Sequence, residues 1–206
     1  MSFTLWFMGR PAAGKSTLAK QVETVLRERG VRLENLDGDE IRTNLHPDLG
    51  FTKEERAINN RRTAFISKLL NRNGIATIVA MITPFRDAQQ TAREIVEEHA
   101  NFVLIYVKCS VETAANRDPK GLYERAKSGK IDNFTGVSHP FQEPIKPDII
   151  IDAETQSVDE CVKEVLDHVE ARDIIDETPS EDYEFDITRR REAEIKSRLE
   201  DLGYLE

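Results

Sequence analysis

Cysteine is scarce in this chain of 206 residues: Cys109 and Cys161 stand far apart, in no C-x-x-C or other metal spacing. A disulfide framework and a cysteine-based zinc site are thereby excluded, and both thiols read as reduced packing residues suited to the cytoplasm. Positive charge is also short, with 29 Lys and Arg against 38 Asp and Glu and a net charge of −9, so the chain lacks the basic face that a nucleic-acid partner requires. No apolar run reaches membrane-spanning length, and no basic-plus-apolar leader precedes the first apolar stretch, so a soluble, cytoplasmic protein with no membrane partner is expected. Internal repeats and low-complexity tracts are absent too. The length suits one well-buried domain and is short for two.

What is present begins with a phosphate-binding loop. Gly9-Arg10-Pro11-Ala12-Ala13-Gly14-Lys15-Ser16-Thr17 fits G-x-x-x-x-G-K-[ST] at every fixed position. Its glycines let successive N–H groups turn inward onto a triphosphate, the next helix adds its positive end, Lys15 reaches the outer phosphates, and the Ser16 hydroxyl is a Mg²⁺ ligand. A chance match would be a glycine-rich turn before an ordinary helix. Context argues otherwise: Phe3 to Met8 is a short apolar run suited to a buried parallel strand. Leu18, Val22, Val25 and Leu26 then recur at helical spacing before Gly30.

Further strands are expected at Val31–Leu36, Gly74–Ile82, Phe102–Val107 and Ile149–Ile151, alternating with helices. This predicts an α/β fold of the P-loop NTPase, nucleotide-kinase-like type, with a five-stranded parallel sheet and helices on both faces. Asp37 and Asp39 follow the second strand, at the sheet edge where α/β proteins bind ligands. Asp39 there caps a helix, orients or deprotonates an attacking hydroxyl, or holds Mg²⁺ through water, and the sequence leaves these roles open, as it does the share of Asp37 in the metal. Thr52-Lys53-Glu54-Glu55 is a capping box opening a long helix, expected to turn Ile58, Phe65, Ile66, Leu69 and Leu70 inward. Its first turns carry Arg56, Asn59, Arg61 and Arg62, a concentration of guanidinium suited to an anion. Arg117 to Lys130 holds five basic residues against two acidic ones and is punctuated by glycine, which reads as a basic lid over about 117–136. Ser157-Val158-Asp159-Glu160 opens another amphipathic helix. Beyond the kinase domain at 1–172, residues 173–206 read as an acidic connector and a terminal helix with Ile195, Leu199 and Leu202 on one stripe. That stripe calls for a partner surface on this domain or on a second subunit, and a homodimer is the expected assembly.

Several of these segments together resemble the adenylylsulfate kinase family over roughly Leu5 to Asp152. Leu36-Asp37-Gly38-Asp39-Glu40-Ile41-Arg42 is similar to L-D-G-D-N-[IV]-R, and Asp48-Leu49-Gly50-Phe51 matches D-L-G-F. Arg56, Asn59, Arg61 and Arg62 fall on D-R-x-x-N-[IV]-R-R; Asp118 to Tyr123 and Phe134-Thr135-Gly136 match D-P-K-G-L-Y and F-T-G. The resemblance implies transfer of the ATP γ-phosphoryl group to the ribose 3′-hydroxyl of adenosine 5′-phosphosulfate, a small-molecule nucleotide acceptor, with ATP and Mg²⁺ as cofactors. It implies that Lys15 and Asp39 are catalytic and that Gly9 to Thr17 with Arg117 bind ATP. Phe51 and Phe134 would stack on the acceptor adenine, while Arg42, Arg56, Asn59, Ile82, Thr83, Lys120 and Asn133, with Asp39, would line the rest of the acceptor site.

The chain departs from the family pattern at Arg10–Ala13 in the P-loop, at Ala80-Met81 and Thr83 after the third strand, and at Asn133 in the lid. These positions keep two further readings in play. One is a kinase of the same fold acting on a different activated nucleotide; the other is a regulatory nucleotide-binding domain without catalysis.

Overall fold

The computed structural model describes residues 2–175. The connector from 176 onward and the terminal helix expected near its end lie outside the described residues. Strand β1 (Phe3–Met8) leads into helix α1 (Lys15–Glu28), and β2 (Leu33–Asp37) into α2 (Gly38–Asn44) and α3 (Lys53–Arg72). Then come β3 (Ala76–Met81), α4 (Arg86–Glu97), β4 (Asn101–Lys108), the short helices α5 (Val111–Arg117) and α6 (Leu122–Lys127), β5 (Ile149–Asp152) and α7 (Val158–Ala171). The strands form one parallel sheet in the order β2-β3-β1-β4-β5. Every residue of β1 and β3 is buried, as continuous apolar runs require at the centre of a sheet covered on both faces.

Alternation along the strands divides the interior in two. Phe3, Leu5 and Phe7 of β1 share one cluster with Leu18 and Val22 of α1 and Val165 and Val169 of α7. Trp6 and Met8 face the other way, with Ala64 of α3 and Ala92 and Val96 of α4. Both expected capping boxes form, Thr52 with Glu55 and Ser157 with Glu160, each pair satisfying two orphan N–H groups at a helix start. The chain leaves β1 for the β2 edge and later returns past β1 to β4. That reversal lies beside the loop after β1 and opens a crevice at the C-terminal ends of the strands.

Helix α3 corrects the expectation drawn from its apolar residues. Phe65 and Leu69 are exposed, and Ile58, Ile66 and Leu70 are only half-buried. The buried face is Arg56, Asn59, Asn60, Thr63, Ala64, Ser67 and Asn71. Most polar atoms there replace water with fixed partners, the buried Ser67 hydroxyl excepted. The Asn71 Oδ1 accepts from the Thr4 hydroxyl at 2.8 Å, and its Nδ2 donates to the Phe3 and Ile75 carbonyls at 3.0 Å each. Asn71 thereby ties the end of α3 to the start of β1. In α7, Val158 is likewise exposed, because it occupies the first turn before the helix meets the sheet.

The Asn71→Leu variant should lose roughly 2–4 kcal/mol of stability, since the Phe3 and Ile75 carbonyls would lose their amide donor while the Thr4 hydroxyl would keep only Thr77. The Phe65→Ala variant should lose less than about 1 kcal/mol. Urea unfolding of the two proteins checks this; a greater loss at Phe65 would reverse the assignment of the buried face.

Candidate nucleotide site

The loop after β1 can approach the sheet because position 9 has no side chain: a Cβ on Gly9 would lie 2.4 Å from the Val107 carbonyl oxygen. The Gly9 N–H donates to the Ile82 carbonyl at 3.4 Å, joining the loop to the end of β3. Gly14, with φ of 100°, turns the chain into α1 through a left-handed conformation that favours glycine. Lys15 is 8 % exposed, and its ammonium donates to the Arg10 carbonyl at 2.7 Å. Burial pushes its pKa down to about 8, against the opposing pull of Asp39 and then Asp37. The Ser16 hydroxyl donates to Asp37 Oδ2 at 2.7 Å, and the other Asp37 oxygen caps α2 by accepting from the Asp39 N–H at 2.9 Å. Helix capping thus belongs to Asp37, leaving the Asp39 carboxylate exposed at the crevice, where it pairs with the Lys120 ammonium.

Lys120 belongs to the segment expected to act as a lid, and that segment is fastened further by Tyr123 and braced internally by Asp118. The Tyr123 ring is buried, and its hydroxyl donates to the Pro11 carbonyl at 3.1 Å. The Asp118 carboxylate accepts from the Leu122 and Tyr123 N–H groups, fixing the turn into α6. Phe134 is packed edge-on against Tyr123 with ring centroids 5.0 Å apart. Phe51, in contrast, is half-exposed and lies beneath the guanidinium groups of Arg42 and Arg56, at 4.4 and 5.3 Å from its centroid. Phe51 therefore offers an open ring, whereas Phe134, expected to stack on the acceptor, is 6 % exposed and belongs to the core cluster with Tyr123.

The arginines are held by backbone oxygen. Arg42 donates to the Leu49 and Gly50 carbonyls at 3.0 and 2.7 Å, and Arg56 to the Phe51 and Asn133 carbonyls at 3.0 and 2.9 Å. No carboxylate among the described residues pairs with Arg56. Burial, reinforced by the neighbouring Arg42, lowers its pKa to about 10. Asn133 presents its carbonyl to Arg56 from a left-handed backbone, with φ of 55°. Arg117 turns elsewhere, donating to the Ala153 carbonyl beyond β5 at 2.6 Å.

Thr83 also has positive φ, 42°, a costly conformation for a β-branched residue. It is buried, accepting from Trp6 Nε1 at 2.9 Å, and its hydroxyl donates to Asn60 Oδ1 at 3.3 Å. Its carbonyl accepts from Gln89 Nε2 at 3.1 Å, so what Thr83 offers the crevice is the backbone of the loop after β3. Three contributions were not visible in the sequence. The Arg10 side chain leaves the phosphate loop to stack on Phe141 at 4.7 Å and approach Glu143 at 3.8 Å. The Tyr123 hydroxyl grips the loop, and His46 meets Asn59 within the fold. Only the D-P-K-G-L-Y match singled out Tyr123, and it gave no role; the other two had no signal.

Comparison with known proteins agrees with this geometry. The family described as adenylylsulphate kinase matches residues 1–152. An adenylyl-sulfate kinase of Halothermothrix orenii is 45% identical over 172 residues, covering 84% of this chain and 91% of that protein. One from Staphylococcus carnosus is 44% identical over 84% of this chain and 87% of its own length. The solved structure of Mycobacterium tuberculosis APS kinase in complex with AMPPNP and APS superimposes with a TM-score of 0.80 at 36% identity, covering 82% of this chain and 98% of that one.

The depressed Lys15 pKa sets a pH dependence for triphosphate binding. Phosphate oxygens favour the ammonium form, so the pKa rises on binding from about 8. Below that pH the group enters binding already charged; above it, binding must take up a proton and weakens as pH climbs. Calorimetry with a non-hydrolysable ATP analogue in buffers of different ionisation enthalpy should show proton uptake approaching roughly one per nucleotide near pH ~9 and much less near pH ~7. Equal uptake at both would remove Lys15 from the phosphate contact.

Proposed function

The chain belongs to the adenylylsulfate kinase family, whose reaction is ATP-dependent phosphorylation of adenosine 5′-phosphosulfate, and we propose that the residues described above divide that work between a donor side and an acceptor side. On the donor side, uncommitted N–H groups of the loop between Gly9 and Thr17 cradle the ATP phosphates, and Lys15 stabilises the charge that develops on the transferring γ-phosphoryl group. Arg117 joins the ATP side by the family pattern, although its guanidinium here donates to the Ala153 carbonyl. The Ser16 hydroxyl and the Asp37 carboxylate, 2.7 Å apart, offer the hard oxygen donors that Mg²⁺ prefers, with Asp39 near enough to act through water. Such an ion would supply charge neutralisation to the triphosphate.

On the acceptor side, Asp39 orients the ribose 3′-hydroxyl and takes its proton as the oxygen bonds to phosphorus and ADP leaves. Phe51 and Phe134 flank the adenine. Arg42, Arg56 and Asn59 hold the phosphosulfate, with Lys120, Asn133 and the backbone of Ile82 and Thr83 completing the wall. The observation that carries this reading is the Arg42–Phe51–Arg56 stack, a buried and a half-buried guanidinium group on one aromatic face, with no carboxylate neutralising Arg56 among the described residues. Such an arrangement suits an anionic nucleotide tail.

The kinase domain on this reading spans 1–172, with residues 117–136 as its lid and an acidic connector following. A homodimer is supported by the exposed Phe65 and Leu69, one turn apart on α3. Among the described residues no helix is long and apolar enough to cross a membrane. A cytoplasmic setting suits the two free, buried thiols.

The decisive experiment is ADP release with a panel of acceptors under saturating Mg²⁺-ATP. Adenosine 5′-phosphosulfate should exceed AMP in kcat/KM by about a hundredfold or more, since the monoester lacks the sulfate that the arginines read. Turnover of another nucleotide with none of adenosine 5′-phosphosulfate would instead favour a different acceptor. The Arg56→Ala variant should raise KM for the acceptor at least about tenfold while leaving KM for ATP unchanged. In Asp39→Asn, kcat should fall roughly a hundredfold or more with the thermal midpoint little moved; a loss of stability alone would reduce Asp39 to a structural residue.

A further inference from the structure

We infer that His46 is a positioning residue for the acceptor: a proton on its Nδ1 fixes the amide of Asn59 so that the amide nitrogen, and not the oxygen, faces the bound anion. The inference rests on the reading of Asn59 as an acceptor contact.

His46 follows α2 and is 3 % exposed; Asn59, on α3, is 4 % exposed. His46 Nδ1 lies 2.6 Å from Asn59 Oδ1, so the contact is a short hydrogen bond sealed from water. Both backbones are anchored. The His46 N–H donates to the Ile41 carbonyl at 3.1 Å, its carbonyl accepts from the Leu49 N–H at 3.2 Å, and the Asn59 carbonyl accepts from the Thr63 hydroxyl at 2.9 Å. Neither partner has a conformational reason to leave.

An asparagine amide has two nearly isosteric orientations, and the surrounding hydrogen bonds choose between them. With the proton on His46 Nδ1, Asn59 must turn Oδ1 toward the imidazole. Its Nδ2, which makes no hydrogen bond among the described residues, is then the free end. Were the proton on Nε2, the bare Nδ1 would draw in the Asn59 NH₂, and a carbonyl oxygen would become the free end instead. Asn59 lies three residues beyond Arg56 and hence on the same face of α3. A free NH₂ there adds a neutral donor to the arginine site. A free carbonyl oxygen would repel the anion those arginines attract. The histidine proton and the bound anion therefore select the same amide orientation, and each stabilises the other.

The test compares His46→Leu, which fills space without a donor, with His46→Asn, whose amide nitrogen lies about as far along the side chain as imidazole Nδ1. His46→Leu should raise KM for adenosine 5′-phosphosulfate about tenfold, the worth of one buried hydrogen bond, with KM for ATP unchanged. His46→Asn should restore it to within about threefold. Asn59→Ala should raise the same KM, and adding His46→Leu to it should cost little more. On the unaltered protein, nitrogen-15 NMR of the histidine ring should find the His46 proton on Nδ1 when acceptor is bound, a readout independent of any variant's folding. If Asn59→Ala leaves acceptor KM unchanged, the acceptor reading of Asn59 fails and this inference with it. If Asn59→Ala weakens the acceptor but His46→Leu does not, or if Leu and Asn at 46 are equally impaired, His46 only packs. A proton found on Nε2 overturns the inference directly.

Discussion

The costliest arrangement in this fold is the burial of cations before their counter-ions arrive. Lys15 is drawn out of water against the phosphate loop, and Arg56 is buried beside a second guanidinium with only carbonyl oxygens as partners. Desolvating a charge without a full ionic partner is unfavourable, and the depressed pKa of each group records that cost. What sustains it is rigidity supplied from elsewhere: a sheet whose two central strands are wholly buried, and a glycine that lets the loop lie against the Val107 carbonyl. The fold's packing energy is converted into preorganised positive charge, so the nucleotides meet donors already stripped of water.

The same constraint explains why the walls of the crevice are joined to one another. Lys120 reaches Asp39, Tyr123 reaches the Pro11 carbonyl, Arg56 reaches Asn133, and Gly9 reaches Ile82. Each contact links a different pair of segments around the crevice. Several use polar groups proposed to engage the nucleotides, so on that reading ligand binding would exchange partners instead of exposing bare charge. Exchange of this kind keeps the cost of opening the site small while the protein waits.

Much of this was legible in the sequence because it depends on local rules. The phosphate loop, both capping boxes and the buried central strands follow from spacing and composition. The inward face of α3 was not legible. Its apolar residues suggested Phe65 and Leu69, yet the buried stripe is polar because Asn71, Asn60 and Asn59 find partners on β1, on Thr83 and on His46, each distant in the chain. Periodicity registers hydrophobicity and is blind to polar groups satisfied by tertiary contacts. For the same reason Asp37, which looked no different from Asp39, proved to be the cap, and the Arg10 side chain gave no sign that it would leave the loop it helps to form.

Thr83 joins the chain's one tryptophan to the loop after β3, on the proposed acceptor side of the crevice. Its hydroxyl accepts the Trp6 indole N–H, while its strained backbone forms the turn that follows β3. Indole emission is sensitive to the hydrogen bond at its nitrogen, and here that bond ends on the segment proposed to meet the acceptor. The protein thus carries an optical probe of the loop after β3, buried in the core and needing no label.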